Sequence, residues 1–195
     1  MQEKFKNKLK LNIVIQIILF IILIVIDRIT KIIVTNNLKG QDAVPIIEDV
    51  LELRYLENSG AAFGMFQNMQ WMFYIVTAII LVLVVFLFVS IYRNSIGYTD
   101  LISTDPDSFH FRTFYGSIFL NYLLVVLAAG AVGNLIDRLT TVYVVDFIYF
   151  KLIDFPIFNF ADICVTLSAA FLIIFFIFIY RDDKNFSIFG SKKQQ

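Results

Sequence analysis

The chain has 195 residues, 59% of them hydrophobic, with a mean hydropathy of +0.79; a soluble domain is nearer half apolar, and here the excess lies in long uncharged runs. Sixteen basic and sixteen acidic residues cancel, which gives no general affinity for nucleic acid. The single histidine, His110, and single cysteine, Cys164, exclude an intramolecular disulfide, a Cys-rich zinc site, His-Glu-x-x-His chemistry and any intrachain Ser-His-Asp or Cys-His arrangement. No metal or cofactor is expected, and Cys164, inside an apolar run, reads as a packing residue.

Four apolar stretches, at about 11–34, 71–92, 114–136 and 160–180, each supply the roughly 20 residues that a spanning helix needs. The first has the basic start of a secretory signal (Lys4, Lys6, Lys8, Lys10). No small-x-small cleavage site follows, and the run continues into Asp27, Arg28 and Lys31, so it reads as a retained helix. After it, residues 50–56 alternate apolar and polar side chains, the period of a half-buried strand. Pro45 precedes them and Gly60 follows. A small sheet on the membrane surface is expected there, a cradle over about 40–68. Trp71, Phe73 and Tyr74 open the second span as an interfacial aromatic belt. The segment 93–113 reads as a cytoplasmic loop of mixed charge, with Arg93, Arg112, Asp100, Asp105 and Asp107. Lysines before the first span, and Arg181, Lys184, Lys192 and Lys193 after the last, place both ends in the cytoplasm by the positive-inside rule. Residues 35–70 and 137–159 then face outward, and 191–195 form an unstructured tail. The whole of 1–195 is one domain: an all-α membrane protein with four transmembrane helices and a small extracytoplasmic β-sheet cradle.

The informative residues are the charges at the outer ends of the spans. A charge at the bilayer centre costs at least about 2.5–3.5 kcal/mol, so such groups face the bundle interior, pair, or sit near water. Asp27 and Lys31 are four apart and share a helix face; a structural ion pair at a helix end explains them as well as a site does. Ala128 to Gly133 are small enough for close helix approach. Asn134, Asp137 and Arg138 fall at i, i+3 and i+4, on one face. Asp146 sits between bulky apolar residues, and Asp162 stands at the mouth of the fourth span. Pro156 between them helps the chain to turn, so the two acids can meet. Close carboxylates resist ionising together: one keeps a proton while the other, as base, draws a proton from water. That is aspartic-protease chemistry, without metal or covalent intermediate. The alternative stays open: Arg138 neutralises Asp137, Asp146 faces water, and Asp154 is a further acid in the same loop.

At these positions the sequence resembles the lipoprotein signal peptidase (signal peptidase II) family. Its Asp-x-x-Thr-Lys motif reads Asp27-Arg28-Ile29-Thr30-Lys31. Its Asn-x-Gly-Ala-Ala-Phe motif reads Asn58-Ser59-Gly60-Ala61-Ala62-Phe63. Gly-Asn-x-x-Asp-Arg is Gly133-Asn134-Leu135-Ile136-Asp137-Arg138. Val-Val-Asp-Phe is Val144 to Phe147, and Phe-Asn-x-Ala-Asp is Phe158 to Asp162. Five motifs in order on four spans are specific, and the resemblance covers nearly the whole chain.

The resemblance implies that Asp146 and Asp162 are the catalytic pair of a bacterial inner-membrane aspartic endopeptidase. It implies a diacylglyceryl-modified prolipoprotein as substrate, cut on the N-terminal side of the lipidated cysteine. Asn58, Gly60, Asn134, Arg138 and Asn159 would line the substrate site, with Asp27, Lys31 and Asp137 as supports. The active site would lie near the periplasmic face, globomycin-type inhibitors would occupy it, and the enzyme is expected to be a monomer in the lipid bilayer. The sequence departs from the family at Ala129, where many members have glycine, at Arg28, often uncharged, and in a longer 93–113 segment.

Three other functions compete. A proton or ion transporter would place acids deep in several spans. A docking protein would tolerate loss of both aspartates. A Ser-Lys protease would use Ser59 and Lys31.

Overall fold

The computed structural model describes residues 2–60, 69–104 and 111–179. Helix α1 spans Gln2–Leu38, and strands β1 (Val44–Ile47) and β2 (Leu51–Asn58) follow. Helix α2 (Gln70–Thr104), α3 (Phe111–Thr141), strand β3 (Val144–Tyr149), a 3-10 turn at Lys151–Ile153 and α4 (Phe160–Ile174) complete the order, with a π turn at Phe175–Ile179 after α4. Among the described residues, four helices are long and apolar enough to cross a membrane.

The helices outrun the apolar stretches that announce them. Helix α1 has 37 residues, about 55 Å at 1.5 Å per residue, against a hydrocarbon core of about 30 Å. The segment 93–113, read above as a loop, is mostly helical: α2 continues to Thr104 and α3 begins at Phe111. A helix started in the membrane propagates cheaply, and the first proline after Gln70 is Pro106. Pro106, Asp105, Asp107 and His110 lie outside the described residues, as do 61–68 of the expected cradle and the basic C-terminal tail.

Helix α3 is the hub. Half of its most apolar window is buried inside the protein, against 22% or less for the other three helices, which leave rows of exposed Ile, Val and Phe for lipid. Small residues let α4 and α1 approach α3. A Cβ on Gly130 would come within 2.5 Å of the Ala161 carbonyl oxygen and 2.9 Å of Val165 Cγ2. One on Gly133 would stand 2.7 Å from the Asp27 carboxylate. Gly130→Ala should therefore force α4 off α3, at a cost of about 1–3 kcal/mol. Gly97→Ala, where an added Cβ meets nothing within 4 Å, is the control. Thermal unfolding in detergent should separate the two variants.

The sheet is antiparallel in the order β1-β2-β3. Strand β2 pairs Leu53 with Ile148, then Leu56 with Asp146. Two residues, Arg54 and Tyr55, thus oppose one, Phe147, a bulge that bends the strand. Val145 and Phe147 pack with Val34 of α1, joined by Leu38, Leu53 and Tyr55. This contact seats the sheet on the end of α1 and leaves Asp146, one residue out of phase, on the opposite side of β3.

Candidate active site

Each acid is delivered by a different device. Asp146 sits mid-strand in β3, which follows α3 after two residues. The reversal puts Val142 at φ +68°, a left-handed conformation that is strained for a β-branched residue. Thr141 holds it by donating its hydroxyl to the carbonyls of Asp137 and Tyr143, at 2.9 and 2.8 Å. Asp162 is the third residue of α4 and half of a capping box: Asn159 Oδ1 accepts from the Asp162 amide, and Asp162 Oδ2 accepts from the Asn159 amide, both at 3.0 Å. Such a box satisfies two amides that a helix start otherwise leaves open.

Asn159 joins the two acids. Its Nδ2 donates to Asp146 Oδ1 at 2.6 Å while its backbone amide holds Asp162. Asn58 Nδ2 donates to the other Asp146 oxygen at 2.7 Å, and Asn134 Nδ2 donates to Asp162 Oδ1 at 2.8 Å. All four carboxylate oxygens are therefore held by amide donors. Burial, then the Asp162 charge, pushes the Asp146 carboxyl up to about 7, against the pull of Asn58 and Asn159. It can hold a proton near neutral pH.

Beneath the acids lies a buried ion cluster. Lys31 Nζ contacts Asp27 Oδ2 at 2.9 Å, Asp137 Oδ2 at 2.8 Å and Asn134 Oδ1 at 2.9 Å. Arg28 pairs with Asp137, whose Oδ2 also accepts from the Val145 amide at 3.3 Å. Asp27 Oδ1 accepts from the Ala161 amide at 3.2 Å. One cluster thus ties α1, α3, β3 and α4 together where the two acids stand.

Above them opens a cavity of about 530 Å³. Asn58, Gly60, Asn134, Arg138, Asp146 and Asp162 line it, and Phe73, Phe155, Ile157 and Leu167 are among its apolar walls. The Arg138 guanidinium lies 4.3 Å from the centre of the Phe73 ring and donates a long 3.5 Å bond to the Gly60 carbonyl. Its backbone carbonyl accepts from the Tyr74 hydroxyl at 2.7 Å.

Two expectations change. Asp137 and Arg138 do not pair: adjacent helix positions diverge by about 100°, so Asp137 turns to Lys31 and Arg28 while Arg138 enters the cavity. Asn159 does not line the cavity; it is fully buried behind the acids. Arg28, noted above only as a departure, and the aromatic support of Arg138 were missed. A second basic residue beside Asp27 in an apolar span was the available signal. Asp154, the other acid of the loop, is exposed and bonded to the Tyr149 hydroxyl. Ala61, Ala62 and Phe63 lie outside the described residues.

The competing functions fit less well. Lys31 Nζ is committed to Asp27, Asp137 and Asn134, all within 2.9 Å, rather than to Ser59. The buried acids Asp27, Asp137 and Asp146 gather with Asp162 at one end of the bundle, not along a transmembrane path.

Comparison with known proteins gives the family. Residues 19–104 and 107–178 match the family described as signal peptidase (SPase) II. The lipoprotein signal peptidase of Clostridioides difficile (strain 630) is 36% identical over 162 residues, covering 83% of this chain and 94% of that protein. That of Clostridium tetani (strain Massachusetts / E88) is 36% identical over 177 residues, covering 88% and 99%. A bacterial membrane enzyme solved in meso at 2.3 Å superposes with a TM-score of 0.61 at 28% identity, covering 91% of this chain and 94% of that one. With four membrane-crossing helices and these relatives, the chain belongs to the signal peptidase II family of membrane aspartic peptidases.

Proposed function

We propose that Asp146 and Asp162 are the catalytic pair with which this signal peptidase II removes the signal peptide from diacylglyceryl-modified prolipoproteins, cutting on the N-terminal side of the lipidated cysteine. The observation that carries the reading is the bridge through Asn159, which holds two carboxylates at the floor of an apolar cavity with one of them able to stay protonated near neutral pH. Strongly interacting carboxylates share protons as a pair. In its singly protonated form one carboxyl protonates the scissile carbonyl oxygen, while the other takes a proton from the water that attacks the carbonyl carbon. Arg138 Nε is buried and without a hydrogen-bond partner among the described residues, a donor free to hold the substrate backbone. Asn58 and Asn134 are each committed through their Nδ2 to a dyad acid, so they steady the acids rather than grip the peptide.

In this reading the signal helix enters from lipid, and the acyl chains stay beside the apolar cavity wall. The protein is a monomer of the bacterial inner membrane with both ends cytoplasmic and the sheet on the periplasmic side. Globomycin-type inhibitors occupy the same cavity. The test is cleavage of a diacylglyceryl-modified prolipoprotein and of its unlipidated form by purified enzyme. Wild type should cut only the first, and Asp146→Asn neither; a working Asp146→Asn enzyme would remove the dyad from the mechanism.

The raised Asp146 carboxyl adds a second expectation. A folded-state pKa above the ordinary carboxylate value means that the folded protein binds the extra proton, so this group's contribution to stability falls as pH rises from about 4 to 7. The side-chain amide in Asp146→Asn does not titrate, so the melting-temperature gap between wild type and that variant should move in the variant's favour across that window and stay level above it. A gap that is flat from pH 4 to 8 would show an unshifted carboxyl.

A further inference from the structure

The loop between β3 and α4 exposes an apolar tip that the catalytic reading leaves unused. Leu152, Ile153 and Phe155 are 69%, 68% and 46% exposed. The charged side chains of the same loop point back to the sheet: Lys151 Nζ reaches Asp49 Oδ1 at 3.0 Å, and Asp154 accepts from the Tyr149 hydroxyl. The loop is held rather than loose. Phe158 exchanges backbone hydrogen bonds with Ile148 at 3.0 and 2.8 Å, the Phe155 amide donates to the Phe150 carbonyl at 3.2 Å, and the Phe158 ring packs with those of Phe150 and Phe155. The tip is therefore held in place by backbone and ring contacts while its apolar side chains stay exposed.

Its depth follows from α4. Phe160–Phe178, the described part of an apolar run that the sequence continues to Tyr180, is 19 residues long, about 28 Å of helix, against a core of about 30 Å. Nearly all of it must lie in hydrocarbon, which puts Phe160 at the boundary. Phe155, Pro156 and Ile157 share the cavity wall with Ile163, Thr166 and Leu167, one to two turns inside that boundary. The Phe155 end of the loop thus lies beside α4 at Leu167, which is itself 52% exposed.

We propose that Leu152, Ile153 and Phe155 form a membrane-inserting tip whose partner is the acyl-chain edge of the leaflet on the sheet side. The Lys151–Asp49 pair and the Tyr149–Asp154 contact mark its water-facing side. Because β3 runs straight into this loop, the tip ties the strand bearing Asp146 to the lipid surface and fixes the height of the acid above the hydrocarbon.

The test needs no substrate, so it stands apart from the catalytic assignment. Trp71 is the one tryptophan of the chain. In the full-length Trp71→Phe protein, Leu152→Trp and Ile153→Trp are made singly, at exposed positions that do not burden folding. Each is reconstituted in phosphatidylcholine vesicles whose acyl chains carry bromine near the glycerol end. The expected result is blue-shifted emission that is lost to the brominated lipid and retained against aqueous iodide. Emission lost to iodide and retained in brominated vesicles, at both positions, would place the tip in water and overturn the proposal; the patch would then be open to a protein partner.

Discussion

Asp162→Asn should lower cleavage by roughly 10²–10⁴-fold, the usual worth of a positioned proton donor or acceptor, while the protein still inserts and folds. The loss has two sources. An amide cannot exchange a proton with water, so the base or acid function disappears. The amide also misfits its surroundings. Both Asp162 oxygens now accept, one from Asn134 Nδ2 and one from the Asn159 amide. Asparagine has one oxygen, so its NH2 must face one of those donors, at a cost of about 1–3 kcal/mol. Asp162→Asn should therefore melt below wild type as well as fail to cut. Asp162→Ser keeps a helix-start residue at that position without the paired acceptors, and it separates the two losses. Single-turnover cleavage of a lipidated prolipoprotein, read beside thermal unfolding, measures both. Full activity in a folded Asp162→Asn protein would end the dyad mechanism.

Lys31→Met should be the most destabilising single change. Lys31 is almost fully buried between Asp27 and Asp137. Removing one partner of a buried ion cluster leaves charge uncompensated, typically a loss of about 3–5 kcal/mol. Asp137 would keep Arg28, but Asp27 would retain only the Ala161 amide. Activity should fall too, because Lys31 also fixes the oxygen of Asn134, whose other end holds Asp162. Adding Asp27→Asn to Lys31→Met removes the stranded charge and should recover part of the lost stability without restoring full activity. If the double variant is less stable than the single one, the charge was not the cause. Lys31→Arg is no rescue, since a planar guanidinium cannot reach three acceptors grouped around one ammonium.

How much of this was legible in the sequence depended on whether the signal was local. Four spans followed from apolar length alone, because the bilayer imposes that length. The strand at 51–58 followed from alternation. The candidate site residues stood out because charge is expensive beside lipid, and the five family motifs contain them. What failed needed three dimensions. The spacing of Asn134, Asp137 and Arg138 put them on one face, but a face about 100° wide looks toward two neighbours at once. Arg138 therefore reached the cavity while Asp137 reached α1. Asp137 pairs with Lys31 and with Arg28, the latter 109 residues away, which no local pattern reports. Asn159 carried a readable signal: an Asn followed three residues later by Asp, at the start of an apolar run, is the pattern of a capping box. The family resemblance implies a substrate contact at the same residue, whereas the structure makes it a helix start. The 93–113 segment misled because its polar composition suggests a loop, whereas a helix already formed extends cheaply where no proline intervenes.

The capping box has a kinetic meaning as well. The hydrogen bonds that begin α4 are also those that aim Asp162 and, through Asn159, Asp146. If the pair is catalytic as proposed, opening of the first turn of α4 and loss of activity are one event rather than two. The Asp162 amide, which donates to Asn159 Oδ1, becomes a reporter of it: its slowing of hydrogen exchange measures the fraction of time that the enzyme is armed. A ligand seated on the dyad should slow exchange at that amide more than at amides deeper in the helix.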